Sequence, residues 1–589
     1  MTLLVGAFSL TDTPPETALC DALAAALSRH PDDVPLTYRD SRVFLAKVDI
    51  DAYRHHALIS DNDGVVSMLA GDAILTHHSG DPVSKKERHR TADLTHLHRA
   101  WRSHADSEPW SLARGTFAAM QYHQERGTLR LVTDALGVRP LYVVKQEGVV
   151  IVASALRILE AAIPLTMDLG GIVEELLYGY PLADRTAYAG VRCLNPAEIL
   201  DITVDGERRQ QWFDWEAITP LDPVPDSYPE QIHAAFLAAV GRRAGEDRMA
   251  RAFLSGGLDS RCIVTALSAL KIAVRTHTFA WENSLDRLLS AQYADALGID
   301  HQGRSSPEGL TGEEIPMLVR TLLDTEPEEQ PAPDRPNLIW SGDGGSVGCG
   351  HVYLTPEIVE ASRRNDLPGI ITGWRKRHPA SLPRKAFTDP FWQRIASWPE
   401  QGLLRTLTEI SPRSNDRRFY LFLLFNDQRR HLTYHHEHID RVRLEFLLPF
   451  FDPDFLRLWA ALPMDAALGH RYYHRWLDCF PSVIKEIPWQ DYSFAGHLPC
   501  PLPLPEEGRL QWAQGDASRD RAFRRKDLEK AARLMAMKPF PTSLFRKNRL
   551  RIAQVLTRWG IRDYRYLFRM TDTISRYWQR CEGRMEGPE

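Results

Sequence analysis

The sequence is short of cysteine, and the cysteines that it has are scattered. Only seven occur among 589 residues, and no two stand at Cys-x-x-Cys spacing. A zinc site or a thioredoxin-like site is therefore not expected. An odd, sparse set of cysteines fits a reducing compartment better than a disulfide framework.

Long apolar runs and a strong net charge are also missing. No window approaches the roughly 18 apolar residues of a membrane span. The N-terminus, MTLLVGAFSLTD, has no basic flank, which predicts a strand and not a signal peptide. A formal net charge of −5 gives no basis for capture of nucleic acid by the whole chain. We expect a cytoplasmic protein that binds neither membranes nor nucleic acid.

The first part of the chain, to about residue 210, has the pattern of short strands separated by turns. At roughly 150 residues per domain, the length predicts two to four domains. Helical stretches at Thr17–Leu27 and Leu156–Ala162 interrupt the strands, so the pattern predicts an α+β domain dominated by antiparallel strands. The predicted strands are Val65–Leu69, Thr128–Thr133, Leu141–Val144 and Val149–Ala153.

A proline-rich stretch at 220–229 predicts a linker, and we place the domain boundary so that one domain spans 1–214 and the next 215–589. Beyond it, buried strands alternate with helices, which predicts a parallel, doubly wound α/β sheet. From about residue 355 the chain is mostly helical. The predicted elements here are strands at Ala250–Leu254, Ile272–Phe279 and Asn337–Trp340 and a helix at Leu285–Leu297.

The loop Ser255-Gly256-Gly257-Leu258-Asp259-Ser260 stands between a buried strand and a helix. Glycine lets the backbone approach an anion, and the N–H groups and dipole at a helix start favour phosphate. Asp259 alone would repel phosphate, so its presence indicates a bridging Mg²⁺. The alternative is an ordinary glycine turn with a helix N-cap. The pattern matches the PP-loop of ATP pyrophosphatases, which release pyrophosphate and leave AMP on a substrate.

A second glycine loop, Ser341-Gly342-Asp343-Gly344-Gly345-Ser346, also follows an apolar strand. Loops at the carboxyl ends of parallel strands converge on one crevice. We therefore predict that Asp343 faces the same nucleotide as Asp259 and shares its Mg²⁺. The alternative is a solvent-exposed turn.

With these motifs the chain resembles the asparagine synthetase superfamily. Its members join an N-terminal glutaminase-type domain to a C-terminal PP-loop synthetase domain, and they include the macrolactam synthetases of lasso-peptide pathways. The resemblance implies an Ntn-type sandwich followed by an adenylating domain with helical additions. It rests on both glycine loops and on the segments 115–118, 134–142, 153–154 and 444–452. It implies ATP contacts from Leu254, Ser255, Gly256, Gly257, Asp259, Ser260, Phe279 and Gly342.

The N-terminal half departs from that family at two catalytic positions. Working glutaminase domains expose an N-terminal Cys as the nucleophile, whereas this chain has Thr2. The family's Asn-Gly oxyanion hole appears here as Ala70-Gly71. Loss of such an amide donor costs ~10²-fold or more in rate. We therefore expect no glutamine hydrolysis, and a substrate that brings its own amine.

The synthetase half departs at the family's catalytic Lys, where Trp489 stands. Lys485, one helical turn earlier, is the candidate replacement, although most lysines are solvated surface groups. Ser346 stands where the family often has Asp, which leaves Asp343 as the candidate metal and catalytic residue of that loop. The stretch 487–492 with 499–503 looks like lasso cyclases.

Residues 519–551 are rich in Arg and Lys, which predicts either a docking surface for an acidic or extended peptide or a solvated helix face.

The combined hypothesis is an ATP- and Mg²⁺-dependent ligase that adenylates an Asp or Glu side chain of a peptide. Attack by the peptide's N-terminal amine then closes a macrolactam, with a precursor peptide, a leader peptidase and a leader-binding protein as partners. The alternatives are an asparagine synthetase or amidotransferase that uses ammonia, and a non-catalytic scaffold of the same fold.

Overall fold

The N-terminal half is built from thirteen short strands and four helices in the described part of the chain. The computed structural model describes residues 2–53, 57–76, 90–103, 108–305, 315–324, 332–377, 380–490, 499–510 and 517–587. The strands are β1 (Thr2–Ser9), β2 (Leu36–Arg39), β3 (Val43–Asp49), β4 (Leu58–Ser60), β5 (Val65–Gly71), β6 (Phe117–His123), β7 (Thr128–Thr133), β8 (Tyr142–Gln146), β9 (Val149–Ala153), β10 (Met167–Asp168), β11 (Arg192–Cys193), β12 (Glu198–Thr203) and β13 (Gly206–Gln211). The helices are α1 (Thr17–Leu27), α2 (Arg90–Arg102), α3 (Leu156–Ala162) and α4 (Leu169–Tyr178).

Two antiparallel sheets form a sandwich in this half. Their strand orders are β11-β8-β9-β1-β3-β2 and β13-β12-β7-β6-β5-β4. Side chains alternate between the faces of a strand, so Leu4 and Leu45 of the first sheet point inward and meet Met68 and Met120 of the second. The predicted α+β sandwich is confirmed.

The C-terminal half contains the remaining strands and a larger number of helices. Its strands are β14 (Met249–Phe253), β15 (Ala273–Ala280), β16 (Asp300–Ser305), β17 (Leu338–Trp340), β18 (Glu445–Leu447) and β19 (Met585–Glu586). Its helices are α5 (Tyr228–Ala244), α6 (Leu258–Ala269), α7 (Leu285–Leu297), α8 (Ile315–Asp324), α9 (Pro356–Arg363), α10 (Leu367–Arg377), α11 (Asp389–Ile395), α12 (Trp398–Glu409), α13 (Arg418–Phe422), α14 (Thr433–Glu437), α15 (Ile439–Val442), α16 (Pro453–Ala460), α17 (Met464–Ala467), α18 (Arg471–Leu477), α19 (Val483–Glu486), α20 (Ala517–Ala536), α21 (Lys547–Arg558) and α22 (Arg565–Arg580).

A five-stranded parallel sheet lies at the centre of this half, in the order β16-β15-β14-β17-β18. The chain first adds strands on one side of β14 and then on the other, so β14 and β17 flank the point where the strand order reverses. Ligands of open α/β sheets bind in the crevice at such a point. The predicted doubly wound parallel sheet is confirmed, and it places both glycine loops at this crevice.

The two halves are joined by buried polar contacts as well as apolar packing. Arg139 of the sandwich donates to Glu445 of β18 at 2.6 Å, and both side chains are almost fully buried. Arg29 forms a second ion pair, with Asp440, at 2.6 Å. The last strand, β19, pairs in parallel with β10 of the N-terminal half. Elements from both ends of the sequence therefore belong to one continuous structure.

Across the described ranges, no helix combines the length and the apolar character that a membrane crossing requires.

Candidate functional site

The two glycine loops touch each other at the crevice. A Cβ added to Gly342 would lie 3.0 Å from the backbone nitrogen of Ser260, and one added to Gly345 would lie 2.4 Å from Asp259 Cγ. Only hydrogen side chains at these two positions allow so close an approach. The loop that ends β17 is thus packed directly against the loop that ends β14.

The first loop is held by its own hydroxyls and by a carboxylate from helix α7. The backbone N–H of Ser255 donates to Ser260 Oγ at 3.0 Å, and that of Gly257 donates to Ser255 Oγ at 3.2 Å. The N–H of Gly256 donates to Asp286 Oδ1 at 2.9 Å, at the start of α7. These bonds fix a tight strand–turn–helix geometry in which α6 begins at Leu258.

Asp259 is a half-buried carboxylate that two neutral hydroxyls bind. Ser346 Oγ donates to its Oδ2 and Tyr473 OH donates to its Oδ1, both at 2.6 Å. Burial raises the pKa of Asp259, and the two hydroxyl donors oppose that rise only in part. A cation beside Asp259 would therefore stabilise its ionised form.

Asp343 belongs to a different group of contacts. Its Oδ1 lies 2.9 Å from His431 Nε2, and its Oδ2 accepts from Ser341 Oγ. Burial alone would raise the pKa of Asp343, but the hydrogen bond and charge of His431 outweigh burial and hold it below its usual value. In return, the hydrogen bond to Asp343 raises the pKa of His431 to about 9. The charge of Asp343 nevertheless raises the pKa of Asp259, so the two carboxylates lie within electrostatic range of each other although they share no described hydrogen-bond partner. The shared Mg²⁺ that the sequence predicts for them stays a prediction.

A cavity of about 170 Å³ opens beside Asp259. The second carboxylate that faces it is Asp286, and Asp343 is not among its described lining residues. The Gln490 amide, turned so that it donates, lies 3.2 Å from Asp286 Oδ1. The cavity is lined by Ser255, Gly257, Leu258, Asp259, Asp286, Ser346, Val352, His470, Tyr473, Trp489 and Gln490.

Several lining residues were not predicted from the sequence as site residues. Asp286 follows the helix cap Ser284 and looks like ordinary first-turn charge, while His470 and Tyr473 lie on a helical segment more than 200 residues from the first loop. Trp489, noted only as a departure from the family, forms part of the cavity wall with its ring 5.5 Å from that of His474. Only the tertiary fold brings these side chains together.

Of the residues predicted for the synthetase half, seven are not among the described lining residues: Leu254, Gly256, Ser260, Phe279, Gly342, Asp343 and Lys485. Leu254 is buried under the loop. Phe279 packs edge-on against Phe253, with ring centroids 6.1 Å apart. Lys485 forms an ion pair with the exposed carboxylate of Asp478, so its ammonium group points to the surface.

The oxygen atoms at this site suit a divalent cation whose remaining ligands come from a phosphate group. Among the described residues, no basic side chain forms an ion pair with Asp259, which is bound by two hydroxyls and by the backbone of Ser346. These residues also contain no cluster of three or more His, Cys, Asp or Glu side chains. Because Mg²⁺ usually keeps waters and binds one or two carboxylates together with substrate phosphates, Asp259 and Asp286 fit such a site.

The candidate glutaminase site of the N-terminal half is occupied by protein side chains. Thr2 begins β1, but its side chain lies outside the described part. The methyl group of Ala70 is buried in the apolar cluster between the two sheets. On either side of it, Arg90 donates to the carbonyls of Leu69 at 3.0 Å and Gly71 at 2.7 Å, and it also pairs with Asp49 at 2.7 Å.

Two family models match the chain in the order that the fold suggests. A glutamine amidotransferase domain matches residues 12–213, and asparagine synthase matches residues 231–331. Together the two matches support the asparagine synthetase superfamily for this chain. The second match includes the first glycine loop but ends before Asp343.

The curated relatives of this chain are matched over only part of their length. Asparagine synthetase [glutamine-hydrolyzing] 1 of Bacillus subtilis is 24% identical over 222 residues, which are 37% of this chain and 35% of the relative. Asparagine synthetase [glutamine-hydrolyzing] 3 of the same organism is 28% identical over 158 residues, 26% of this chain and 25% of the relative. The matches thus span about a third and a quarter of these relatives.

The solved structures are less similar to this chain than the curated relatives are in sequence. The glutamine phosphoribosylpyrophosphate amidotransferase of B. subtilis, complexed with ADP and GMP, is 12% identical, and the match covers 64% of this chain and 79% of that one. Its TM-score is 0.24, so nothing further follows from it.

Proposed function

We propose that the chain is an ATP-dependent, AMP-forming ligase that closes a macrolactam in a lasso-type precursor peptide. A side-chain carboxylate of the peptide attacks the α-phosphorus of ATP, and the bond from that phosphorus to pyrophosphate breaks. The peptide's N-terminal amine then attacks the acyl carbon, the bond to AMP breaks, and the amine loses a proton. The products are the cyclic amide, AMP and pyrophosphate.

The observation that carries this proposal is the contact of the two glycine loops around the cavity that Asp259 faces. It lies at the crevice where parallel sheets bind their ligands. The N-terminus of α6 lies beside Ser255 and Gly257, and the partial positive charge of a helix start favours phosphate. Mg²⁺ held by Asp259, with Asp286 close by, would neutralise phosphate charge as pyrophosphate leaves.

The altered glutaminase position supports a peptide substrate that brings its own amine, in place of glutamine. Ala70 buries its side chain in the apolar interior of the sandwich, and Arg90 takes up the carbonyls on both sides of it. No amide side chain stands at this position to stabilise an oxyanion. A substrate that contains both the acid and the amine avoids the need for ammonia.

The walls of the cavity suit a step that water must not enter. An acyl-adenylate hydrolyses unless water is excluded, and ring closure requires the two reacting groups to be held close together. Tyr473 and Trp489 are buried aromatic side chains that line the same cavity as Asp259. They supply apolar surface beside the phosphate-binding loop, where Tyr473 also donates to Asp259.

The partners follow from this proposal. A precursor peptide is the substrate, and a leader peptidase with a leader-binding protein exposes its amine. Such processing belongs in the cytoplasm, where we propose that the chain works. The sites named above and the domain division at residues 214 and 215 are parts of the same proposal.

The test is a set of parallel incubations with ATP and Mg²⁺ and with one substrate each. Purified protein is given core peptides with a free N-terminal amine and one internal Asp or Glu, and AMP release and loss of one water from the peptide are measured. Asp259→Ala is expected to abolish both signals. If the wild-type protein releases no AMP with any peptide of this design, the macrolactam proposal is wrong.

A second candidate is an asparagine synthetase or amidotransferase that uses free ammonia, which the curated relatives favour. An incubation with aspartate and ammonium separates the two, because only this candidate forms asparagine there. A non-catalytic scaffold is the remaining alternative, and failure to bind ATP in a calorimetric titration with Mg²⁺ would favour it.

A further inference from the structure

Helix α21 has two apolar faces, and only one of them is covered. Leu550, Ala553 and Thr557 are buried against the body of the protein. On another side of the helix, Ile552 and Val555 are each 53% exposed, and Trp559, just after its end, is 75% exposed. At about 100° per residue, these three exposed side chains fall within about 60° of one another. They form a stripe that points away from the protein.

This exposed stripe continues beyond the helix. Ile561 is 70% exposed and Tyr566 is 49% exposed, in the turn that leads to α22 and in its first turn. Single exposed apolar side chains are normal on protein surfaces, but here five large ones fall within fifteen residues of sequence. We read this concentration as an interaction surface. We call the side chains of residues 552, 555, 559, 561 and 566 the α21 stripe.

The sequence around the α21 stripe is rich in basic residues and contains few acidic ones. Residues 546–569 contain eight Arg and Lys residues and a single acid, Asp563. Three of the eight form ion pairs with Asp389, Asp563 and Asp527. On a helical projection, Arg551 and Arg558 lie along one edge of the stripe and Arg549 along the other. The whole chain carries a net charge of −5, so this concentration of positive charge is local. It suits a ligand that is acidic at its edges and apolar at its centre.

The α21 stripe has the geometry of a helix-packing surface. Positions 552, 555 and 559 repeat at i, i+3 and i+7, so they form one ridge along the helix, against which an amphipathic helix can pack. We propose that the α21 stripe docks an acidic amphipathic segment of a partner protein, with apolar side chains at helical spacing flanked by Asp and Glu. A lipid surface fits less well, because the opposite face of α21 is packed against the protein and the helix axis cannot sink into a headgroup layer.

This inference does not rest on the proposed function, because no residue of the α21 stripe lines the cavity beside Asp259. The probe is a fluorescein-labelled peptide, about 18 residues long, with leucines at i, i+3, i+4 and i+7 and glutamates beside them. Its binding to the full chain is followed by fluorescence anisotropy. A scrambled peptide of the same composition and vesicles of phosphatidylcholine with phosphatidylserine serve as the two comparison ligands.

Two variants remove the surface without touching the buried face of α21. Val555→Ser with Trp559→Ala removes apolar anchors, and Arg551→Glu with Arg558→Glu reverses the charge of one edge. Each variant is expected to bind the peptide at least ~10-fold more weakly, as for anchor residues of an interface. The matched controls are Val34→Ser, at a position 80% exposed in the other half, and Arg208→Glu on the exposed strand β13. Thermal unfolding checks that every variant is folded.

Specific binding of the patterned peptide, lost in both stripe variants and kept in both controls, supports the proposal. Equal binding of the scrambled peptide overturns it, and so does equal binding by folded stripe variants. Vesicle binding in the absence of peptide binding would replace the protein partner by a membrane. Self-association that the stripe variants abolish would replace it by a second copy of this chain.

Discussion

The hydroxyl of Tyr473 donates to Asp259 Oδ1 at 2.6 Å across 214 residues of chain. This bond steadies the half-buried carboxylate that we assign to Mg²⁺, and its loss is expected to raise the Asp259 pKa further. Tyr473→Phe should therefore weaken the apparent Mg²⁺ affinity by about 10-fold, as for partners of metal ligands in general. The acid limb of the pH–rate profile should move to higher pH. AMP release against Mg²⁺ concentration and pH measures both, and Tyr472→Phe, a buried neighbour without this contact, should change neither.

The close approach of the second loop makes Gly345 hard to replace. A methyl group there would lie 2.4 Å from Asp259 Cγ, so one loop must move. Displacement of about 1 Å at a reaction centre costs on the order of 10²-fold in rate, and we expect that loss of AMP release for Gly345→Ala. The control is Gly241→Ala in helix α5, which should keep full activity. A Cβ at that position would lie 3.8 Å from Leu270 Cδ1, an ordinary contact distance. Equal activity of the two variants would mean that the loops need not touch.

The buried pair of Arg139 and Glu445 is expected to dominate the stability of the contact between the halves. Arg139→Met leaves a carboxylate buried without this partner, which costs about 3–5 kcal/mol. Adding Glu445→Leu should recover much of that loss, because it removes the stranded charge. Urea denaturation followed by tryptophan fluorescence gives both free energies of unfolding. Arg364→Met in the exposed pair with Glu360 should cost about 1 kcal/mol or less.

The pair of His431 and Asp343 predicts a definite pH window. The folded-state pKa of His431 is raised from 6.5 to about 9, so its stabilising contribution is complete below 6.5 and is lost as pH rises through about 9. The lowered pKa of Asp343 acts in the opposite direction, and that contribution is lost in acid. The difference in unfolding midpoint between wild type and His431→Gln should thus be present near neutral pH and vanish in alkali. Because the imidazole is half-exposed, we expect about 1 kcal/mol or less.

Restoring the glutaminase residues should not restore glutaminase activity. Thr2→Cys with Ala70→Asn supplies the family's residue types, but the Asn side chain would enter the apolar cluster in which Ala70 is buried. An amide there without partners costs roughly 1–3 kcal/mol, and Arg90 still occupies the adjacent carbonyls. Release of glutamate from glutamine should stay at background in a coupled assay. Measurable hydrolysis would show that the site is open.

Local sequence patterns predicted many of the elements well. The helices Thr17–Leu27, Leu156–Ala162 and Leu285–Leu297 and the strands Thr128–Thr133 and Val149–Ala153 coincide with the predictions residue for residue. Each has an apolar period that matches its geometry and a clear stop signal. The proline-rich stretch, in contrast, overlaps α5, because Pro229 stands in the first turn of that helix, where a missing N–H is tolerated.

The site was predictable only where it is local. Both loops have a short-range signature, so Ser255, Gly256 and Asp259 are found from the sequence alone. The side chains that complete the cavity, Tyr473 and Gln490, come from distant segments that carry no motif. Strand β16 was missed because its residues are polar and lie at the sheet edge. The orientation of the Asp343 side chain is set by its contact with His431, and no rule of sequence spacing predicts that contact.

The ion pair between Arg139 and Glu445 also bears on how this molecule can be divided. Glu445 lies on β18 at the edge of the parallel sheet, and Arg139 of the sandwich binds its side chain there. Without the sandwich this ion pair is lost, and an uncovered edge strand can pair with another chain. A synthetase fragment produced alone would therefore be prone to aggregate, whereas two co-expressed fragments should reassemble. A sandwich without catalytic work of its own would still be retained for this reason.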